Sequence, residues 1–312
     1  MKKLLKSTTE YVSTLNRRVS PSTVPHISRC VDQLKKRGFV MLDHLVGTPE
    51  FEAIKAKVDR KIEKDFELQF PCLSQSKIDV DRDRDLIETN FLATHEQLSQ
   101  RGLTFDRDDV TDYQQMVTDF TPSTLTVPMP SEEEFYNLWL DPVVTSVVSS
   151  YMGFVPNLTE AYIRRNFPSI FRVMNFNWHR DTNHDKYLVK VFIFFTDCDI
   201  FTGAHHYIAG SANDSRFRDK LYFTDDEINS VWPIGSDDHM ISTVPAGTII
   251  IEDTRGLHKA GIPKRDYRDL GFAVFTPPNF FIKSQPYLKI NGSTYKSLSK
   301  SQQVFIDKQN LL

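Results

Sequence analysis

Trp178-His179-Arg180-Asp181, together with Asp253-Thr254-Arg255-Gly256-Leu257-His258, is the part of the sequence on which the fold turns. Alternate side chains of a strand share a face, so His179 and Asp181 point the same way. The same alternation groups Val173, Asn175, Asn177, His179 and Asp181 against Met174, Phe176, Trp178 and Arg180. The second face is apolar enough to pack on another layer. The first grows polar towards Asp181 and suits the inner wall of a polar site, since buried polar groups need partners or ligands. His258 stands 77 residues after Asp181, and the segment between holds enough strand-like runs to cross a two-sheet barrel and return. It follows Ile249-Ile250-Ile251-Glu252, which is entered through the turn Pro245-Ala246-Gly247. A loop residue at the end of a buried strand is where a functional side chain is expected.

Around this stretch the chain reads as helices first and one β core afterwards. Ile27, Val31 and Leu34 recur at helical spacing from Pro25 to Lys36, Gly38 ends that helix, and Phe39-Val40-Met41-Leu42 is a short strand. A second helix runs from Pro49 to about Glu67. Residues 70 to 130 are polar and irregular with helical patches, and are expected to pack around the core rather than form it. Ser131-Glu132-Glu133-Glu134 is a capping-box signal opening a helix through Trp139 and Val147 to Gly153, with a break at Pro142. β-Branched and aromatic runs follow: Phe171 to Trp178, Tyr187 to Thr196, His205 to Ile208, Met240 to Val244, Thr248 to Glu252 and Asp269 to Thr276. Several such runs between turn residues predict a sandwich or barrel.

Length and composition bound the class. A chain of 312 residues with 40% hydrophobic and 25% charged residues is expected to be a soluble globular protein. Lys and Arg (38) nearly balance Asp and Glu (41), which gives no electrostatic footprint for nucleic acid or an anionic membrane. The start, Met1-Lys2-Lys3-Leu4-Leu5-Lys6, lacks the apolar run of a signal peptide, and no window approaches a transmembrane span. Three scattered cysteines, Cys30, Cys72 and Cys198, argue against a disulfide framework and for a cytoplasmic location.

Two imidazoles and a carboxylate on one side of a metal, with the other positions open, make the ligand set of non-haem Fe(II) oxygenases. A His-x-Asp triplet is a weak signal in itself, because nine histidines in an Asp-rich chain produce about one match by chance. The bland alternatives are a satisfied strand histidine at 179 and a surface histidine beside Lys259 at 258.

The surrounding segments decide between them. The sequence resembles the phytanoyl-CoA dioxygenase family of Fe(II)/2-oxoglutarate oxygenases, with His179 and Asp181 at its His-x-Asp pair and His258 at its distal histidine. Leu34-Lys35-Lys36-Arg37-Gly38-Phe39-Val40-Met41, the block Gly203-Ala204-His205-His206-Tyr207-Ile208-Ala209-Gly210-Ser211, and the arginine after the distal histidine extend the resemblance from near residue 30 to about 280. It implies a mainly β fold with flanking helices, built on a double-stranded β-helix (jelly-roll, cupin-like) over residues 160 to 280. The remainder of a single oxygenase domain, 1–312, is then a mostly helical N-terminal part, 1–159, and a C-terminal extension, 281–312.

The resemblance further implies Fe(II), 2-oxoglutarate and O2, with Arg268 binding the distal carboxylate of 2-oxoglutarate. A planar guanidinium suits that task because it pairs bidentately. The competitor, Arg265, lies in the polar loop before the strand. Lys190 shares parity with Phe192 and Phe194; it either helps hold the co-substrate or faces water from an edge strand. Two departures stand out: Ala212 follows Gly210-Ser211 where many relatives carry histidine, and Leu270 stands where many 2-oxoglutarate enzymes have serine.

Arg164, Arg165, Arg172 and Arg180 gather near the first ligands and could receive an anionic substrate, although alternation turns Arg172 and Arg180 to the far face, where salt bridges are expected. Asp79, Asp81, Asp83 and Asp85 lack the glycine and closing glutamate of a calcium loop and read as a solvated segment. The functional expectation is a dioxygenase hydroxylating an unactivated C–H bond of a small molecule, the retained Asp181 arguing against halogenation. The rivals are a non-catalytic β-barrel binding module and a cupin-type metal-dependent lyase or isomerase. Substrate and oligomeric state are not readable.

Overall fold

The run Ile249-Ile250-Ile251 has no polar side, and its place in the fold explains why. A computed structural model describes residues 17–64, 69–71, 92–94, 124–128, 133–166, 176–181, 188–219, 221–278, 288 and 290–312. Strand β11 (Ile249–Asp253) lies between β1 (Phe39–Leu42) and β7 (Val189–Phe194), antiparallel to both, with every residue buried. A strand covered on both faces needs apolar residues at both parities.

Beyond β7 the same sheet continues through β13 (Arg268–Thr276) and β5 (Asn157–Asn166) to the short strands β4 (Thr124–Pro128), β2 (Gln69–Pro71) and β3 (Leu92–Thr94). Facing it is a five-stranded antiparallel sheet, ordered β10 (His239–Ile241), β8 (His205–Ile208), β12 (His258–Ala260), β6 (Trp178–His179), β9 (Tyr222–Phe223). Two antiparallel sheets joined by long crossings are the expected double-stranded β-helix.

Parity sorts the large sheet into two layers. Val189, Val191, Ile193, Ile249, Ile251, Ala273 and Phe275 pack outward against helices. Phe192, Phe194, Ile250 and Leu270 turn inward to Tyr207, Met240 and Ala204 of the smaller sheet. The outer layer is made by α1 (Pro25–Arg37), α2 (Pro49–Lys64), α3 (Glu133–Trp139) and α4 (Pro142–Met152). In α1 the buried stripe is Ile27, Cys30, Val31 and Leu34, and Gly38 ends the helix at φ +86° with its N–H on the Leu34 carbonyl. Helix α4 starts afresh because Asp141 caps it, accepting from the N–H groups of Val143 and Val144.

Several expectations change. The expected helix break at Pro142 is a full restart. Glu134 pairs with Lys57 of α2, and Ser131, the other half of the expected capping box, lies outside the described residues. The region read as irregular packing contributes β2, β3 and β4, which extend the main sheet; the rest of it, including the aspartates from Asp79 to Asp85, lies outside the described residues. Of the run Phe171 to Trp178, only Phe176 to Trp178 is described, and pairing begins at Trp178. Cys30 and Cys198 are free and buried, while Cys72 and the first sixteen residues lie outside the described set. Among the described residues no helix is long and apolar enough to cross a membrane.

Gly271 shows how tightly the outer layer closes. A Cβ there would stand 2.3 Å from the Trp139 ring and 2.9 Å from Phe195, both fully buried. Gly271→Ala should therefore cost on the order of 1–3 kcal/mol and lower Tm by several degrees. Gly292→Ala, where a Cβ meets nothing within 4 Å, should leave Tm unchanged or slightly raised. Equal melting of both variants and the parent would contradict this packing.

Candidate metal centre

Strand β12 enters between β6 and β8, and its first residue, His258, lies directly opposite His179. His258 therefore opens a strand instead of sitting in a loop, because the turn Thr254–Gly256 is complete before it. That turn is held from several sides. The Tyr207 hydroxyl donates to the Asp253 carbonyl (2.8 Å), Arg180 donates to the Arg255 carbonyl (2.6 Å), and Leu257 N–H donates to Ser211 Oγ (2.7 Å). Asp253 accepts from the Tyr151 hydroxyl (2.6 Å) and pairs with Arg255. Gly256 is required by the close approach of Tyr207, whose hydroxyl would lie 1.9 Å from a Cβ at that position. Asp181 joins the same turn through its N–H on the Thr254 carbonyl, 3.0 Å.

Both imidazoles are anchored by the same device. His179 Nδ1 lies 2.8 Å from the Asn177 carbonyl and His258 Nδ1 lies 3.0 Å from that of Gly256. A carbonyl can only accept, so each Nδ1 carries the proton and each Nε2 keeps a free lone pair. These Nε2 atoms stand 4.0 and 3.8 Å from the Asp181 carboxylate, and one donor atom from each residue falls within a 4.8 Å cluster. Protonation suits a cation: burial lowers His179 and holds His258 well below the usual histidine range, with the His179 charge adding to the latter. Burial opposes ionisation of Asp181, but Lys190 and His258 hold it well below the usual carboxylate range. Asp181 Oδ2 is buried, with the Lys190 ammonium 2.8 Å away. Two neutral imidazoles and one carboxylate whose donor atoms converge fit a divalent transition metal.

Lys190 is not on an edge strand. β7 lies between β11 and β13, and Lys190 points inward with its ammonium 2.8 Å from Asp181 Oδ2. Beside it across the β7–β11 pair is Glu252, fully buried, with His205 Nε2 at 3.0 Å. Burial raises Glu252 well above its usual range and holds His205 well below its own. The His205 ring lies 5.0 Å from Phe192 and 5.8 Å from His258. Neither residue is singled out by sequence: Glu252 reads as the polar end of an apolar strand, and His205 as one of a repeated pair. Its neighbour His206 has the opposite parity and meets His239 at 3.0 Å, away from the ligand cluster.

Arg268 is 1% exposed and faces the cavity from the start of β13, donating to the Gly203 carbonyl and to Asn166 Oδ1 (3.0 Å), with its Nε–H unsatisfied. Arg265 is exposed and stacks on Phe201, its guanidinium 3.6 Å from the ring centroid. Leu270 joins the inner apolar layer where a serine was expected. Arg180 does face away from His179, but among the described residues it makes no salt bridge there. It donates to the carbonyls of Ser211, Arg255, Phe217 and Arg216, so it fastens loops. Arg172 lies outside the described residues.

No family model and no curated protein sequence matches the chain. Solved structures do. The epimerase SnoN in complex with Fe3+, alpha ketoglutarate and nogalamycin RO aligns with a TM-score of 0.51 at 12% identity, over 80% of this chain and 83% of its own. This chain shares its fold. HygX from Streptomyces hygroscopicus, with nickel, 2-oxoglutarate and hygromycin B bound, gives 0.49 at 15% identity over 84% and 90% of the two chains. EctD from S. alaskensis with bound Fe gives 0.48 at 14% identity over 83% and 82%.

The Lys190–Asp181 contact makes a thermodynamic prediction. Lys190→Met leaves a largely buried carboxylate without its cation, so the metal-free protein should lose on the order of 1–3 kcal/mol. Ni(II) then supplies the missing charge, and its stabilising Tm shift should be larger in the variant than in the parent. Equal shifts in the two proteins would mean that Lys190 does not compensate Asp181.

Proposed function

We propose that the chain is an Fe(II)- and 2-oxoglutarate-dependent oxygenase that hydroxylates an unactivated C–H bond of a small molecule, in one domain of the phytanoyl-CoA dioxygenase type. The observation that carries this reading is that the His179–Asp181–His258 donor set is accompanied, on the inward parity of the opposite sheet, by a buried guanidinium with an unsatisfied N–H, Arg268. A simple ligand-binding barrel has no need of both. The bound small molecules in the SnoN and HygX structures accord with a small-molecule substrate. Free, buried Cys30 and Cys198 support a reducing cytoplasm.

On this reading, His179 and His258 present their Nε2 lone pairs to iron, Asp181 gives one carboxylate oxygen, and Lys190 keeps the other oriented. Arg268 binds the far carboxylate of 2-oxoglutarate through its planar fork. Phe192, Phe272 and Tyr162 form an apolar inner wall that excludes water from the reacting atoms. Bound together, the iron and co-substrate supply an oxidant derived from O2 as the keto acid is decarboxylated to succinate. Asp181 would supply the carboxylate ligand in whose place a halogenase would bind its halide, which supports hydroxylation.

Anaerobic addition of Fe(II) and 2-oxoglutarate should give a weak visible charge-transfer band, lost in His258→Ala. Asp181→Ala should abolish substrate-stimulated succinate formation in a metabolite screen that scores a gain of one oxygen. No band and no 2-oxoglutarate binding would favour the binding module, and turnover without O2 or 2-oxoglutarate would favour a lyase or isomerase.

A further inference from the structure

The arginines near the candidate ligands meet different ends. On the outer face of the main sheet, Arg165 is held bidentately by Asp269 at 2.8 and 2.7 Å. Arg180 is spent on backbone carbonyls. Arg164 and Arg268 are left facing the cavity. In the β5–β13 register Arg268 lies opposite Asn166 and Leu270 opposite Arg164, so alternation puts Tyr162, Arg164 and Asn166 on the face that carries Arg268, Leu270 and Phe272.

Arg164 lies over an aromatic platform. Its guanidinium carbon is 5.3 Å from the Tyr162 ring centroid and 5.1 Å from that of Phe272, two rings stacked at 5.2 Å. One terminal nitrogen donates to the Tyr162 hydroxyl at 3.2 Å, while Nε is buried with no acceptor. The same atom of Arg268 is also buried and unsatisfied. Burial depresses Arg268, and the like charge of Arg164 adds to that effect. Among the described residues no carboxylate pairs with either guanidinium. Two neighbouring cations with orphaned N–H groups on one inner wall are unfavourable until an anion arrives.

We propose that Arg164 is a second binding residue for the distal carboxylate of the dicarboxylic keto acid, sharing it with Arg268. This rests on the oxygenase reading above. The carboxylate satisfies both orphaned groups, and the Tyr162–Phe272 platform holds the Arg164 plane in place and keeps water from competing. Arg164 then sets selectivity for a dicarboxylic over a monocarboxylic keto acid.

The test is calorimetric titration of the Ni(II)-loaded full-length protein with 2-oxoglutarate and with 2-oxobutanoate, which has the same keto-acid end and no distal carboxylate. Arg164→Met should weaken 2-oxoglutarate about tenfold or more, the loss of a charge-assisted hydrogen bond, and leave 2-oxobutanoate unchanged. Arg164→Lys should recover part of the loss. Ligand-free Arg164→Met should melt at or above the parent temperature, because an uncompensated cation has been removed, whereas a merely structural arginine would lower it. Unchanged 2-oxoglutarate affinity in Arg164→Met, or equal weakening of both keto acids, overturns the assignment alone. If the parent protein binds neither keto acid, the oxygenase reading falls and this assignment with it.

Discussion

The candidate site hangs on one antiparallel contact, the pairing of His258 with His179 between β12 and β6. Strand β6 is two residues long, too short to hold its own register, so the alignment is imposed from outside. Trp178, on the other face, is buried against Phe223, Ile228 and Trp232 and donates its indole N–H to Asp225 at 2.9 Å. Ser211, Tyr207 and Arg180 grip the turn that leads into His258. Within the block from Gly203 to Ser211, Tyr207 and Ser211 thus bear on the ligand cluster by fixing a loop.

Much of the β core was legible because parity and burial agree there. β8 ends where its sequence run ends, and β11 and β13 differ by a single residue at an end from the expected bounds, since each carries a run of buried apolar residues. β5 was not legible. Its Arg164 and Arg165 read only as members of an arginine cluster near the first ligands, yet the strand turns them to opposite faces, Arg165 buried against Asp269 and Arg164 on the inward parity. A polar residue whose partner lies a hundred positions away carries no local signal, and Glu252 with His205 is the same case. His179, Asp181 and His258 are candidates on residue type and spacing, which are themselves a chemical statement, and Arg268 is a candidate on the family resemblance; the structure brings the first three together. What spacing could not give was the pairing of Lys190 with Asp181, which depends on β7 being a central strand.

The interior is unusually rich in ionisable side chains for a protein core. Asp181, Lys190, Glu252, His205 and Arg268 all point between the two sheets, against the apolar pattern of the residues around them. Such violations persist where a site demands them. On the function proposed above they form two sets, a cation-seeking one of Asp181 with the two Nε2 atoms and an anion-seeking one of Arg268 with Arg164. The rings of Tyr162 and Phe272 stack on each other beside Arg164, and Phe192 packs edge-on against Phe272.

Arg268 and Asp269 are adjacent, oppositely charged and buried on opposite faces of β13. A slip of one residue along β5 would exchange them, turning a carboxylate into the wall that should receive an anion and a guanidinium into the helix layer. The bidentate lock between Asp269 and Arg165 works against that error from the far side of the sheet. An ion pair that never meets a ligand thereby acts as the proofreader of the cavity's polarity, and the sign of the charge offered to a ligand is decided during strand assembly, before any ligand is present.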